Sequence, residues 1–235
     1  MLWFAFDGEP LPDAVYDGYA EKFDIRICEG FGMTETSPVP HMCLPHEERR
    51  GSVGKPVPRV QQRIIGADGE TLGPDLDGEL QLKGPNIMAG YFKDPEATAA
   101  AIIDDGWLRT GDMARADAEG FTSITGRIKE MLIIGGENVF PREIEDVLVR
   151  HADVALAAVI GVQDPSRGEV ALAFVEPVPG STPDPAALRT FCRDFLAGYK
   201  VPREIRVLDE LPKGATGKVQ RRALNADTGL PPTES

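Results

Sequence analysis

The stretch Glu29-Gly30-Phe31-Gly32-Met33-Thr34-Glu35 packs two glycines, an aromatic ring, a hydroxyl and two carboxylates into seven residues. The stretch Ile25 to Cys28 precedes it and reads as a strand. Before that run, Pro12 to Phe23 reads as a helix with Val15, Tyr19 and Phe23 at four-residue spacing, and Leu2 to Phe6 as a buried strand. Strand, helix, strand is the local pattern of an α/β sheet. Glycines placed after such a strand let backbone N–H groups approach a phosphate. Phe31 can then stack on a base, Thr34 can bond a phosphate oxygen and Glu35 can hold Mg²⁺. The same residues also suit a structural Gly-rich turn, so the decision falls to the rest of the chain.

Downstream, from Gly51 to Arg127, the texture changes to short strands between turn signals. Val60 to Ile65, Glu79 to Lys83 and Phe121 to Thr125 are predicted strands, with one helix near Pro95 to Ile103. After Lys129 the pattern predicts strands at Met131 to Ile134, Val154 to Val162, Val170 to Val175 and Ile205 to Leu208. Helices are predicted at Pro141 to His151, Pro185 to Leu196 and Lys218 to Asn225. The expected organisation is therefore residues 1–128 as part of a larger domain, with 1–50 α/β and 51–128 β-rich. Residues 129–229 follow as a small mobile α+β domain, and 230–235 as a tail. Leu2 to Phe6 is apolar enough to need neighbours on both faces, which suggests a sheet whose amino-terminal part lies elsewhere.

Composition narrows the function. The 235 residues carry a net charge of −13, with 42% hydrophobic and 27% charged residues, as in a folded globular chain. An acidic chain repels phosphate backbones; the compact basic segment, Lys213 to Arg222, does not by itself make a nucleic-acid surface. Val154 to Val162 is far shorter than the ~20 residues of a membrane span, and Asp7 and Glu9 stand where a signal peptide would be basic. Cys28, Cys43 and Cys192 are odd in number and widely spaced, as expected for reduced thiols in a cytoplasmic protein.

Other motifs are weaker one by one. Trp107-Leu108-Arg109-Thr110-Gly111-Asp112 sets a carboxylate after a turn glycine; it can accept from two ribose hydroxyls or serve in an Asx turn. Gly126-Arg127-Ile128-Lys129 falls at the predicted boundary, and Gly135-Gly136-Glu137-Asn138 follows a strand, which suits a hinge and a backbone surface a ligand can approach. Pro212-Lys213-Gly214-Ala215-Thr216-Gly217-Lys218 fails as a Walker loop, since Pro212 and Val219 occupy required positions, but it leaves Lys218 on a Gly-flanked loop. His41, Cys43 and His46 lack a fourth ligand at a zinc interval and read as a loop, and His151 as a helix cap.

Taken in this order, the motifs resemble the adenylate-forming superfamily of acyl-CoA synthetases, luciferases and peptide-synthetase adenylation domains, from about Gly8 to Arg222. Gly8-Glu9-Pro10 is similar to its adenine-contacting turn and Gly32-Met33-Thr34-Glu35 to its G-x-T-E signature. Gly78-Glu79-Leu80, Gly90-Tyr91 and Pro95-Glu96-Ala97-Thr98 resemble the stretch that leads to Arg109-Thr110-Gly111-Asp112. Lys129 matches the hinge, Gly135 and Gly136 the thiol-access loop, Tyr199-Lys200-Val201-Pro202 a family landmark and Lys218 the catalytic lysine. Gly214 departs from the usual Thr. The residues around Thr36 to Val39 and Asn138 to Pro141 look most like medium- and long-chain fatty acyl-CoA ligases.

The resemblance implies a two-step reaction: a carboxylic acid and ATP give acyl-AMP and pyrophosphate, then coenzyme A displaces AMP. Lys218, Thr34 and Glu35 would be catalytic, Glu35 with Mg²⁺. Gly8, Glu9, Pro10, Phe31, Gly32, Asp112 and Arg127 would bind nucleotide. Gly135 and Gly136 would admit the thiol. The family's Ser/Thr/Gly-rich phosphate loop lies upstream of every motif quoted, and a complete member is roughly twice this length. The expectation is thus a carboxy-terminal half, inactive or nearly so alone and open to complementation by an amino-terminal polypeptide. The rival reading is a noncatalytic fragment that persists as a partner-binding module.

Overall fold

In the computed structural model, residues 4–6, 13–214 and 217–227 are described. The chain divides into two compact units, Met1–Ile128 and Lys129–Ser235. The first unit opens with β1 (Phe4–Phe6), α1 (Asp13–Phe23) and β2 (Ile27–Phe31), where β1 and β2 pair in parallel across the helix. The second strand therefore runs further than predicted, taking Glu29, Gly30 and Phe31 into the sheet. β3 (His41–Met42) and β4 (Lys55–Pro56) extend it antiparallel, in the order β1-β2-β3-β4. On α1, Tyr19 and Phe23 stack at 5.7 Å but stay exposed.

A second sheet holds β5 (Gln61–Ile65), β6 (Gly78–Lys83), β7 (Ile102–Ile103), β8 (Trp107–Ala116) and β9 (Thr122–Arg127). Its order is β5-β6-β8-β7, with β9 on β8. The short helix α2 (Pro95–Ala101) starts at Asp94, whose carboxylate accepts the Ala97 N–H at 2.9 Å, with Pro95 in the first turn. β8 corrects the sequence reading in part: Trp107 to Asp112 lies within a strand, with Gly111 at positive φ making a kink inside it. Leu108 and Arg109 pair with β6 and Asp112 with β9, while between them the Thr110 hydroxyl donates to Leu80 O at 2.7 Å. The sheets share one core of Phe31, Ile64, Leu80, Leu82 and Ala114, against which Met33 and Val53 pack.

The second unit is built on β10 (Leu132–Ile134), β11 (Glu137–Val139), β12 (Val154–Asp164), β13 (Gly168–Pro177) and β14 (Glu204–Val207). Their order is β11-β10-β13-β12, with β14 parallel to β13. Alternation along β13 explains its unbroken apolar run. Ala171, Ala173 and Val175 pack with Ile144 and Leu148 of α3 (Pro141–Leu148) and with Leu188 of α4 (Pro185–Phe195), while Leu172 and Phe174 pack with Leu211 and with Leu224 of α5 (Arg221–Asp227). α5 begins three residues later than predicted, because Lys213 and Val219 pair across a hairpin first. His151 lies past the end of α3 rather than closing it, with its Nδ1 accepting the Asp153 N–H at 3.3 Å and its ring edge-on to Phe191.

Candidate active site

In the first unit, β2 delivers the chain into a turn that is fastened from inside. Thr36 is fully buried, and its hydroxyl lies 2.9 Å from both the Met33 and the Pro38 carbonyl oxygens. The Met33 N–H donates to Pro38 O at 2.9 Å, and Ser37 takes a left-handed φ of 54°. A second segment braces the turn from outside: Asn86 Nδ2 donates to Thr36 O, and the Met88 N–H to Glu35 O, both at 2.8 Å. The Tyr91 hydroxyl donates to Glu35 Oε1 at 2.9 Å, which raises the phenol's pKa. The fastening leaves Thr34 exposed and Glu35 half-buried.

Asp112 sits on β8 directly opposite Arg127 on β9, next to a register shift at Met113/Ala114. Only 3% of Asp112 is exposed, and Arg127 Nε lies 3.1 Å from its Oδ1. Gly111, at φ 71°, supplies the kink before it, in a backbone region that disfavours side chains. The structure thus brings Asp112 and Arg127 together. The core that buries Leu80 and Ala114 beside them on the sheet also holds Phe31 and Met33 of the turn. Phe31 is 9% exposed, with its ring 6.0 Å from His41, so most of it is packed rather than open for stacking. Gly8, Glu9 and Pro10 lie outside the described residues.

His41 is not a metal ligand in waiting: it is fully buried, Nε2 is 2.6 Å from Gln62 Oε1, and burial lowers its pKa to about 4. Among the described residues no group of three or more His, Cys, Asp or Glu side chains could hold a metal ion unaided. Mg²⁺ asks for less, since it takes one or two carboxylates and shares the substrate's phosphates. Glu35, with one oxygen fixed by Tyr91, fits that need. Cys28, Cys43 and Cys192 are free and buried, and burial pushes Cys28 up to about 12 and Cys192 up to about 11. No described helix is long and apolar enough to cross a membrane.

In the second unit, Gly135 and Gly136 form the two-residue turn between β10 and β11, both at positive φ (62° and 88°), with open space around each Cα. The Gly135 N–H donates to Arg167 O at 3.0 Å. Arg167 lines a cavity of about 440 Å³ together with Arg189, Arg193, Arg203 and Tyr199. Arg189 donates to Pro202 O and Arg203 pairs with Asp164, so two of the four guanidinium groups are occupied within the chain. Lys129 and Lys218 are both exposed, Lys129 on the single turn Ile128–Glu130 and Lys218 on the hairpin closed by Gly214 N–H to Lys218 O at 2.8 Å. Sequence reasoning named Tyr91 only as part of a motif and missed the arginine-lined cavity, whose members are dispersed from 167 to 203.

Comparison with known proteins agrees with this architecture. The AMP-binding enzyme family matches residues 1–92, and the AMP-binding enzyme C-terminal domain matches residues 143–218. The chain belongs to the AMP-binding enzyme family. It is 43% identical over 216 residues to a sulfoacetate–CoA ligase of Cupriavidus necator, covering 91% of this chain and 42% of the relative. It is 42% identical over 220 residues to a long-chain-fatty-acid–CoA ligase of Salmonella typhimurium, covering 92% and 38%. The chain therefore spans about two fifths of the length of the curated relatives it matches. Among solved structures, ATP-bound MatB from Rhodopseudomonas palustris is similar with a TM-score of 0.88 and 33% identity, covering 95% of this chain and 45% of that one. The o-succinylbenzoate CoA synthetase from Bacillus subtilis, in complex with its acyl-adenylate intermediate, gives a TM-score of 0.84 and 36% identity over 94% and 45%. These family members confirm the mixed α/β fold as part of an adenylate-forming enzyme domain.

Proposed function

We propose that this chain contributes the nucleotide and thiol chemistry of an acid–CoA ligase that works through an acyl-adenylate. The carrying observation is the Gly32–Glu35 turn, locked by Thr36 and Tyr91 so that Thr34 stays exposed and Glu35 keeps one carboxylate oxygen outside the Tyr91 bond. In the first step a carboxylate attacks the α-phosphorus of ATP, and the new charge lies between two anions. Thr34 bonds an α-phosphate oxygen, Asp112 accepts from the ribose hydroxyls with Arg127 beside it, and Phe31 offers adenine its small open edge. Lys218 supplies a positive charge to the developing pentacoordinate phosphorus. Mg²⁺, held by Glu35, would neutralise phosphate charge when bound.

For the second step the reading assigns Gly135 and Gly136 to the thiol's approach, with Lys129 as the hinge between steps. The arginine-lined cavity beside Gly135 supports a strongly anionic second substrate such as coenzyme A. For the acid, the residues around Thr36 to Val39 favour a fatty acyl chain, whereas the relatives are named for acids as different as sulfoacetate, long-chain fatty acids and 2-succinylbenzoate. The test is ATP–pyrophosphate exchange by a protein carrying this chain, across fatty, sulfonated and aromatic acids. Exchange that needs an acid, followed by CoA-dependent release of AMP, is expected; release of ADP, or turnover without an acid, overturns the reading. Best exchange on a short or aromatic acid overturns the fatty acyl part alone.

A further inference from the structure

Within the basic segment Lys213 to Arg222, Arg221 reaches two carboxylates from separate parts of the second unit, one of them buried. Its Nη2 lies 2.9 and 2.8 Å from Glu145 Oε1 and Oε2, and its Nη1 lies 3.3 Å from Glu130 Oε2. Glu145 projects from α3 into the core at 8% exposure, where its Oε1 also accepts the Val159 N–H at 2.7 Å. Burial alone would drive that carboxyl toward its neutral form, and Arg221 opposes the drift. Glu130 ends the turn that contains Lys129.

We infer that Arg221 is a positioning residue for Lys218, clasping the hairpin that bears the lysine to Glu145 in the core and to Glu130 beside Lys129. Lys218 stands three residues before Arg221, on a hairpin whose other features are local: Gly214 N–H to Lys218 O at 2.8 Å and Gln220 N–H to Pro212 O at 2.7 Å. The leading arm has its own anchor, since Glu176 accepts from the Leu211 N–H at 2.9 Å and from Lys213 Nζ at 3.1 Å. Arg221 anchors the trailing arm. An arginine is required because a planar fork can hold one carboxylate with two bonds and still extend a third nitrogen to another, which a lysine's point charge cannot. The same residue thereby joins the lysine's support to the hinge turn. The inference rests on the adenylation role proposed for Lys218, but the clasp can be measured without it.

Amide hydrogen exchange on the full chain, read by mass spectrometry, compares Arg221→Met, Arg221→Lys and Glu130→Gln with the unaltered protein. In Arg221→Met, peptides covering 211–224 and 128–134 should exchange at least about tenfold faster, while those within β12 and β13 stay unchanged. Arg221→Lys should fall between, and Glu130→Gln, at a half-buried carboxylate, should loosen 128–134 alone. Unchanged exchange over 211–224 in Arg221→Met, equal acceleration in β12 and β13, or full rescue by Arg221→Lys each overturns the clasp. In a protein that carries this chain and forms acyl-AMP, Arg221→Met should lower kcat of that step about 10- to 100-fold. KM for ATP should hold within about threefold, and thioester formation from supplied acyl-AMP should be unaffected; equal slowing of both steps overturns the positioning role. If the exchange results hold while Lys218→Ala leaves acyl-AMP formation intact, the clasp stands and the adenylation reading of Lys218 falls.

Discussion

Replacing His41 with Gln should flatten the acid side of the first unit's stability profile. His41 is fully buried on β3, paired with Phe31 of β2, and its Nε2 proton goes to Gln62 Oε1, which also accepts the Thr122 hydroxyl at 2.7 Å. Nδ1 has no hydrogen-bond partner, so a second proton would place a donor and a charge in the core with nothing to receive them. Burial lowers the pKa from 6.5 to about 4. The unfolded chain therefore binds a proton at about 6.5, the native one only near 4, and stability is complete above the first value and falls as pH drops toward the second. Linkage puts the loss due to His41 at about 1 kcal/mol at pH 5.5 and about 2–3 kcal/mol at pH 4.5. Urea unfolding by tryptophan fluorescence isolates this unit, because Trp3 and Trp107 both belong to residues 1–128. Gln at position 41 keeps an amide donor for Gln62 without titrating, so the difference between the two chains should grow by those amounts from pH 7.5 to 4.5. Parallel profiles over that range would refute a neutral, buried His41.

Three further outcomes bear on the site. Lys218→Ala should cost acyl-AMP formation about 10²–10³ in rate, as loss of one donor to a charged transition state does, and spare thioester formation from supplied acyl-AMP; Lys129→Pro should do the reverse. Partial reactions with each half measured separately check both. Asp112→Asn should weaken AMP binding by about 1.5–3 kcal/mol, the range for a hydrogen bond to a charged group, as read by titration calorimetry. Tyr91→Phe should leave the unfolding midpoint of the first unit nearly unchanged while raising the Mg²⁺ concentration for half-maximal exchange about three- to tenfold, since the phenol fixes one oxygen of Glu35.

The sequence revealed contiguous chemistry better than dispersed chemistry. Gly32 to Glu35 could be read as a ligand-facing turn because its hydroxyl and carboxylate are adjacent, and β12 and β13 because a sheet covered on both faces shows as an apolar run. Trp107 to Asp112 reads as a turn because Gly111 and Asp112 carry loop preferences, whereas the strand around the Gly111 kink is imposed by pairing with β6 and β9. The pattern predicts a helix from Lys218, but α5 starts at Arg221 because the pairing of Lys213 with Val219 claims the residues before it. Tyr91 and Glu35 are 56 positions apart, and the clasp of Arg221 on Glu145 spans 76, so no local spacing announces either contact. Phe31, read as a stacking ring, is mostly core, because its strand continues further than its apolar residues suggested.

The most direct test of the nucleotide site is saturation-transfer NMR of AMP with this chain and with Asp112→Ala, a method that registers weak binding. Transfer to the adenine and ribose protons of AMP is predicted for the unaltered chain, with the ribose signal and competition by ATP both lost in the variant. Absence of transfer to the unaltered chain, or equal transfer to both proteins, would contradict the placement of the ribose at Asp112 and with it the adenylate-forming role assigned to this turn and strand.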